Sequence, residues 1–391
     1  MSATAAAVSF LPFHRAMIGD DEVRAVTEVL ESGWLTTGPR AKQFEAAFAA
    51  CVGAENAIAV GSCTAALHLA LAAINLQPGD EVILPTMTFA STGEVILYTG
   101  AKPVLVDCAS GSYHMDAAQI ERHITPKTRA IIPVHYSGYA SELDHVVQIA
   151  RRHNLKVIED AAHSFPSSFK GTPIGTIGDI TCFSFYATKT ITTGEGGMIT
   201  TQNDALADRM RILSMHGISR DAWKRYTAEG TWRYDIQDIG YKYNLTDLQA
   251  AIGLVQFEKR EHMRRLRVAL ADRYTRELNS FEGFLTPVIP DHVEHAWHLY
   301  VIQVDDDFLS ISRDRIIEEL KDRGIGTSVH FIPLHLHSLY QNRLGYHEGM
   351  FPNAEARFAS SISLPLFPGM TEIEQSRVIQ VLCDIARQHR R

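Results

Sequence analysis

The side chain with the greatest chemical reach is Lys189, which closes the run Ser184 to Lys189 and precedes a glycine cluster at Gly194, Gly196 and Gly197. An amine held in a confined, partly dry place loses proton affinity, and the neutral amine can condense with a carbonyl group. The glycines let the backbone come close to a ligand. By itself the same pattern describes a surface lysine beside a turn, the usual place for lysine. Asp160 ends the apolar run that starts at Lys156, and His163 follows it closely. A carboxylate there can pair with a protonated ring nitrogen, with His163 near an adjacent oxygen. It reads equally as a helix cap. The turn Gly61, Ser62, Cys63, Thr64 opens an apolar helical stretch. Thr64 and the free amides of such a start form a corner for a phosphate, or a plain Ser/Thr cap. Neither a P-loop nor a dinucleotide fingerprint is present. Phe89, at the end of the run from Pro85, offers an aromatic face for stacking or for the core.

These residues need a scaffold that brings them to one edge. From about residue 20 to residue 260, short apolar runs alternate with amphipathic stretches: Ala57–Val60, Val82–Leu84, Pro103–Val106, Ala130–Val134 and Lys156–Asp160, with helical segments such as Ala65–Leu76 and Leu143–His153 between them. Nearly continuous hydrophobicity suits strands covered on both faces, and the alternation predicts an α/β layer with a mostly parallel sheet. Ligands in such folds sit at the carboxyl ends of the strands, where Asp107, His135, Asp160 and the stretch after Phe185 all fall. Beyond residue 260 a charged helical stretch, Phe257–Glu277, a strand-like run, His298–Val304, and a helix, Arg313–Arg323, predict a smaller α+β domain. The expected division is residues 1–260 as the large domain, with an arm over 1–20, and residues 261–391 as the small one.

A chain of 391 residues with 46% hydrophobic and 21% charged residues has the composition of a soluble globular protein. A net charge of -8 with both signs interleaved argues against a nucleic-acid partner. Five scattered cysteines without a CxxC pair read as reduced thiols, and no run approaches a membrane span. The N-terminal residues lack the charged and apolar regions of a secretory signal, so the expected location is the cytoplasm. His330, His335 and His337 are closely spaced, but they lack an acidic or cysteine ligand beside them. Structural or substrate-contacting roles are therefore expected, and no metal site.

Taken together, the four local features supply what pyridoxal 5'-phosphate (PLP) requires: a lysine, a ring-nitrogen carboxylate, a phosphate corner and a stacking ring. The segments Gly61–Leu71, Glu159–His163, Phe183–Gly197, Gly240–Gly253, Gly324–His330 and Leu364–Gly369 resemble the DegT-type sugar aminotransferases, PLP enzymes of fold type I. The resemblance covers nearly the whole chain. It implies Lys189 as the Schiff-base lysine, Asp160 on the pyridine nitrogen, His163 near the phenolic oxygen and Phe89 on the ring. It also implies Thr64 and Ser184 on the phosphate, next to Cys63, which stands where many relatives have glycine. Asn244 resembles the residue that reaches the phosphate from a neighbouring subunit, which implies a homodimer with shared sites.

Within that family, Ser32–Pro39 and Gly240–Asn244 look most like enzymes that aminate the 4-keto position of a UDP-sugar, so the expected substrates are L-glutamate and a nucleotide-linked keto-sugar. His330, in the stretch matching the family's GIxTxxH, is a candidate substrate contact. Arg15, Trp34 and Lys242 are candidates for the nucleotide diphosphate, by charge and neighbourhood alone. The alternatives are amination at another position, a dehydratase of the same fold, and a non-catalytic PLP-binding regulator. Some related dehydratases carry histidine in place of the lysine, which Lys189 counts against.

Overall fold

The computed structural model describes residues 9–140, 142–219 and 234–391. Five strands alternate with helices along the first part of the chain: β1 (Asn56–Val60), β2 (Glu81–Pro85), β3 (Lys102–Val106), β4 (Thr128–Ile131) and β5 (Lys156–Asp160). A short hairpin, β6 (Ser168–Phe169) and β7 (Thr172–Pro173), precedes β8 (Ile180–Ser184) and β9 (Gly197–Thr201). The large sheet has the order β1-β9-β8-β5-β4-β2-β3. Strand β9 runs against both its neighbours, β1 and β8, and every other pairing is parallel. Six strands therefore point the same way, and the carboxyl ends of β1, β2, β5 and β8 share one edge. The expected α/β class with a mainly parallel sheet is what the chain forms.

Apolar composition explains why these runs are strands. All five residues of β1 are buried, as are all five of β9, which suits a sheet covered on both faces. Helix Cys63–Ala73 packs on it, starting where the Ser62 hydroxyl accepts from the Ala65 amide at 3.0 Å. Under the carboxyl edge lies an aromatic core: Phe48 meets Phe165 at 4.6 Å, Phe183 at 5.0 Å and Phe44 at 6.3 Å between ring centres. This core supports β8 and the loop that carries Lys189.

The stretch expected as one helix over Phe257–Glu277 is two, Asp247–Glu258 and Arg260–Leu278, with Lys259 between them. The second helix leads to β10 (Phe284–Leu285), β11 (Val293–Glu294), β12 (Tyr300–Val304) and β13 (Ser361–Leu364). Strands β10, β12 and β13 form an antiparallel sheet, and β11 joins the β6–β7 hairpin. Helices Arg313–Asp322 and Glu372–Gln388 cover the small sheet around a second core that includes Tyr274, Ile302 and Leu364. The N-terminal arm belongs to this core too: Leu11 is buried in it and bridges Ile325, with Leu11 N on the Gly324 carbonyl at 2.8 Å. Among the described residues, no helix is long and apolar enough to cross a membrane.

Candidate active site

Strand β5 delivers Asp160 to the carboxyl edge, where its burial removes water from the carboxylate. Burial pushes its proton affinity up, while a hydrogen bond from Thr92, another from the Ala162 amide, and the Lys189 and His135 charges pull it down. The Thr92 hydroxyl donates to Oδ2 at 2.8 Å and the Ala162 amide to Oδ1 at 3.1 Å. One lone pair on each oxygen is thereby used, and the others remain for a ligand donor.

Lys189 follows β8 in a turn whose amide rests on the Tyr186 carbonyl at 2.9 Å. Burial lowers the pKa of its amine from 10.5 to about 8, against the raising effect of Cys63 and Asp160. At neutral pH about a tenth of the amine is then neutral, the state that attacks a carbonyl, far more than an ordinary lysine offers. Cys63 and Cys182 are buried close by. Desolvation raises both thiols well above their usual range, so they are neutral walls of the site.

Histidines lie close to Lys189 as well. His163 is buried, with Nδ1 lacking any protein partner, and its ring lies 4.4 Å from His298 and 5.6 Å from Phe331. Burial, then the Lys189 charge, pushes its pKa well below 6.5, so the ring is neutral. His330 lies 6.4 Å from His163, with Nδ1 on the Ser363 hydroxyl at 2.8 Å and its carbonyl accepting from the Tyr136 hydroxyl. Its pKa is also lowered, to about 3, by burial first and Lys189 second. Phe89, exposed at the rim, reaches Phe331 at 5.7 Å. Ser184 ends β8 and accepts from the Tyr186 amide at 3.3 Å. Cys63 and Thr64 occupy the first positions of helix Cys63–Ala73, where amides have no helical acceptor.

The remaining sequence candidates lie outside this cluster in the single chain. Asn244 bridges Val60, next to the corner, and its amide donates to Thr37 Oγ1 at 2.7 Å. Trp34 is exposed, with Nε1 on the Thr37 carbonyl at 3.2 Å. Lys242 is exposed against Met215 Sδ at 3.3 Å. Arg15 sits over Phe367 and pairs with Glu374 at 3.6 Å. His335, one of the three closely spaced histidines, is buried between Thr86 and Glu355, at 2.7 and 2.8 Å.

Several site residues were invisible to sequence reasoning. Thr92 holds Asp160 across 68 residues. His298 stands against His163, and the spacing His295-Ala-Trp-His298 was the one available signal. Arg267, almost fully buried, donates from Nη1 to the carbonyls of Trp297 and Leu366 at 3.0 and 3.1 Å, and burial lowers its pKa to about 10.

A dry amine, a buried carboxylate with unused lone pairs, a histidine nitrogen without a partner and a helix start at one sheet edge fit a phosphorylated pyridine aldehyde. That combination on this sheet defines a fold type I PLP enzyme. Residues 16–383 match the DegT/DnrJ/EryC1/StrS aminotransferase family, to which the chain belongs. It is similar to the spore coat polysaccharide biosynthesis protein SpsC of Bacillus subtilis, with 48% identity over 97% of each chain. Its fold is similar to that of Spr1654 of Streptococcus pneumoniae, assigned as a sugar aminotransferase and solved in PLP and PMP forms. The PLP form has a TM-score of 0.90 at 33% identity, over 97% of this chain and 99% of that one. It is similar also to PseC of Helicobacter pylori, an aminotransferase involved in the biosynthesis of pseudoaminic acid, with a TM-score of 0.89 at 27% identity over 97% and 100% of the two chains. The chain is an aminotransferase, and its cofactor is PLP.

Proposed function

We propose that this aminotransferase moves the amino group of L-glutamate to the 4-keto position of a nucleotide-linked sugar, with UDP as the expected nucleotide. The observation that carries the reading is the Lys189 amine, which burial brings down to about pKa 8 against the raising charge of Asp160, at a site shared with the neutral His163. The relatives involved in polysaccharide and pseudoaminic acid biosynthesis support a sugar as the amino acceptor.

When bound, PLP supplies an electron sink that stabilises negative charge on the carbon losing its proton. The protein's part is to hold and to move protons. Lys189 anchors the cofactor at rest. Once displaced by the donor amine, it carries a proton from the donor's α carbon and later returns one to the sugar carbon, as base and then acid. Asp160 holds the ring nitrogen protonated, and His163 Nδ1 is free to bond the phenolic oxygen. Thr64, Ser184 and the amides at the start of helix Cys63–Ala73 would hold the phosphate, and Phe89 would supply an aromatic face to the cofactor. His330 contacts the substrate, and Arg15, Trp34 and Lys242 serve the nucleotide. Asn244 reaches the phosphate of a second copy, so the working unit is a homodimer.

A panel of UDP-, dTDP- and GDP-linked 4-keto-sugars, each incubated with holoenzyme and glutamate, tests the assignment by product mass. An amino-sugar formed from a UDP substrate and 2-oxoglutarate from glutamate are expected. Reaction with none of the panel would overturn the reading.

A further inference from the structure

The Asp160 carboxylate is the end of a chain of hydroxyls. Thr88 lies in the turn after β2, and Thr92 in the first turn of the helix Ala90–Tyr98 that follows; both are almost completely buried. Thr88 Oγ1 lies 2.7 Å from Thr92 Oγ1, and Thr92 Oγ1 lies 2.8 Å from Asp160 Oδ2. The direction of the chain follows from proton counting. A hydroxyl has one proton and an ionised carboxylate has none to give. Thr92 therefore commits its proton to Asp160, and Thr88 must be the donor in the bond between the two threonines. Each donation polarises the next, so the pair acts as one strengthened donor on the carboxylate. Among the described residues, Thr92 is the side chain that donates to Asp160 Oδ2. The charged and titratable groups around it are Lys189, His135, Cys63 and Cys182.

We propose that Thr92, oriented by Thr88, is a positioning residue for transamination: its hydroxyl fixes the rotation of the Asp160 carboxylate and weakens its hold on the proton shared with the cofactor's ring nitrogen. The proton then stays on the ring, where the electron sink needs it. The inference rests on Asp160 being the ring-nitrogen partner. A hydrogen bond donated to a buried carboxylate lowers its proton affinity. Replacing Thr92 by valine keeps the volume and removes that donor, so Asp160 becomes more basic and keeps only the Ala162 amide to fix its rotation.

The test uses holoenzymes loaded with ring-¹⁵N-labelled PLP: parent, Thr92→Val, Thr92→Ser, Thr88→Val and Asp160→Asn. Nitrogen NMR reads the protonation of the ring directly, and half-reaction kinetics with glutamate separate kcat from KM. In Thr92→Val the ring-nitrogen resonance moves toward the neutral-pyridine position, and kcat falls about tenfold, the equivalent of one pKa unit, with KM little changed. Thr92→Ser restores both, and Thr88→Val shifts both in the same direction by less. Should Asp160→Asn move the resonance while Thr92→Val leaves resonance and kcat at parent values, the Thr92 inference fails and the Asp160 assignment stands. If Asp160→Asn leaves the resonance in place, the assignment of Asp160 fails and the inference fails with it.

Discussion

The Asn244 side-chain amide donates to Thr37 Oγ1 at 2.7 Å, joining two loops 207 residues apart in the chain. The same threonine hydroxyl donates to the Leu245 carbonyl at 2.6 Å, and its carbonyl accepts from Trp34 Nε1. Asp247 completes the knot by accepting from the amides of Gly38 and Ala41 at 2.7 and 3.0 Å. Asn244 is thus held by a hydrogen-bonded loop beside Val60, at the end of β1.

Thr37→Val removes the acceptor for Asn244 and the donor for Leu245. Because a half-buried amide then loses its partner, stability should fall by about 1–3 kcal/mol in urea unfolding. Cofactor affinity, measured by titrating the cofactor-free protein, should weaken several-fold, and Thr37→Ser should restore both. Unchanged affinity in Thr37→Val would separate Asn244 from the phosphate.

The lowered pKa of Lys189 has a direct kinetic signature. Only the neutral amine attacks the cofactor's aldehyde, and with a pKa of about 8 the neutral form is complete well below the 10.5 of an ordinary lysine. The rate of cofactor capture by the cofactor-free protein, followed by stopped-flow absorbance, should rise with pH and level off through a midpoint near 8. The linkage sign agrees. Between about pH 8 and 10.5 the unfolded lysine binds a proton that the folded one has lost, so this group's unfavourable contribution to stability, full below pH 8, shrinks as pH rises through that window. A midpoint near 10 would show an exposed amine.

Phe48 is fully buried in the aromatic core beneath the Lys189 loop, against Phe165 and Phe183. Phe48→Ala leaves a cavity there and should cost about 3–5 kcal/mol. Denaturant unfolding of the cofactor-free protein measures it. A loss below about 1 kcal/mol would mean that the core does not carry this part of the fold.

The sequence shows the frame of the site well and its supports poorly. Asp160 and Lys189 were readable because each follows an apolar run ended by polar or glycine residues, and a parallel sheet puts such endings on one edge. Thr92 was not, because its partner lies on β5, 68 residues away, and nothing local marks a threonine near a helix start as other than helical. Arg267 hides in the same way: in sequence it is one of several arginines on a charged helix, and only the fold buries it against the Trp297 and Leu366 carbonyls. Boundaries drifted for a local reason. The helix expected over Ala65–Leu76 runs from Cys63 to Ala73, because Ser62 caps it two residues earlier and Ile74 ends it. The break at Lys259 was missed because apolar and charged residues continue across it without a glycine or proline.

The central claim is that Lys189 carries the cofactor. Borohydride reduction of the holoenzyme fixes the cofactor to whichever amine holds it, and peptide mass mapping then locates the label. A label on Lys189 is expected, absent in Lys189→Ala together with the bound-cofactor absorbance near the visible edge. A label on any other lysine, or unchanged absorbance in Lys189→Ala, would contradict it.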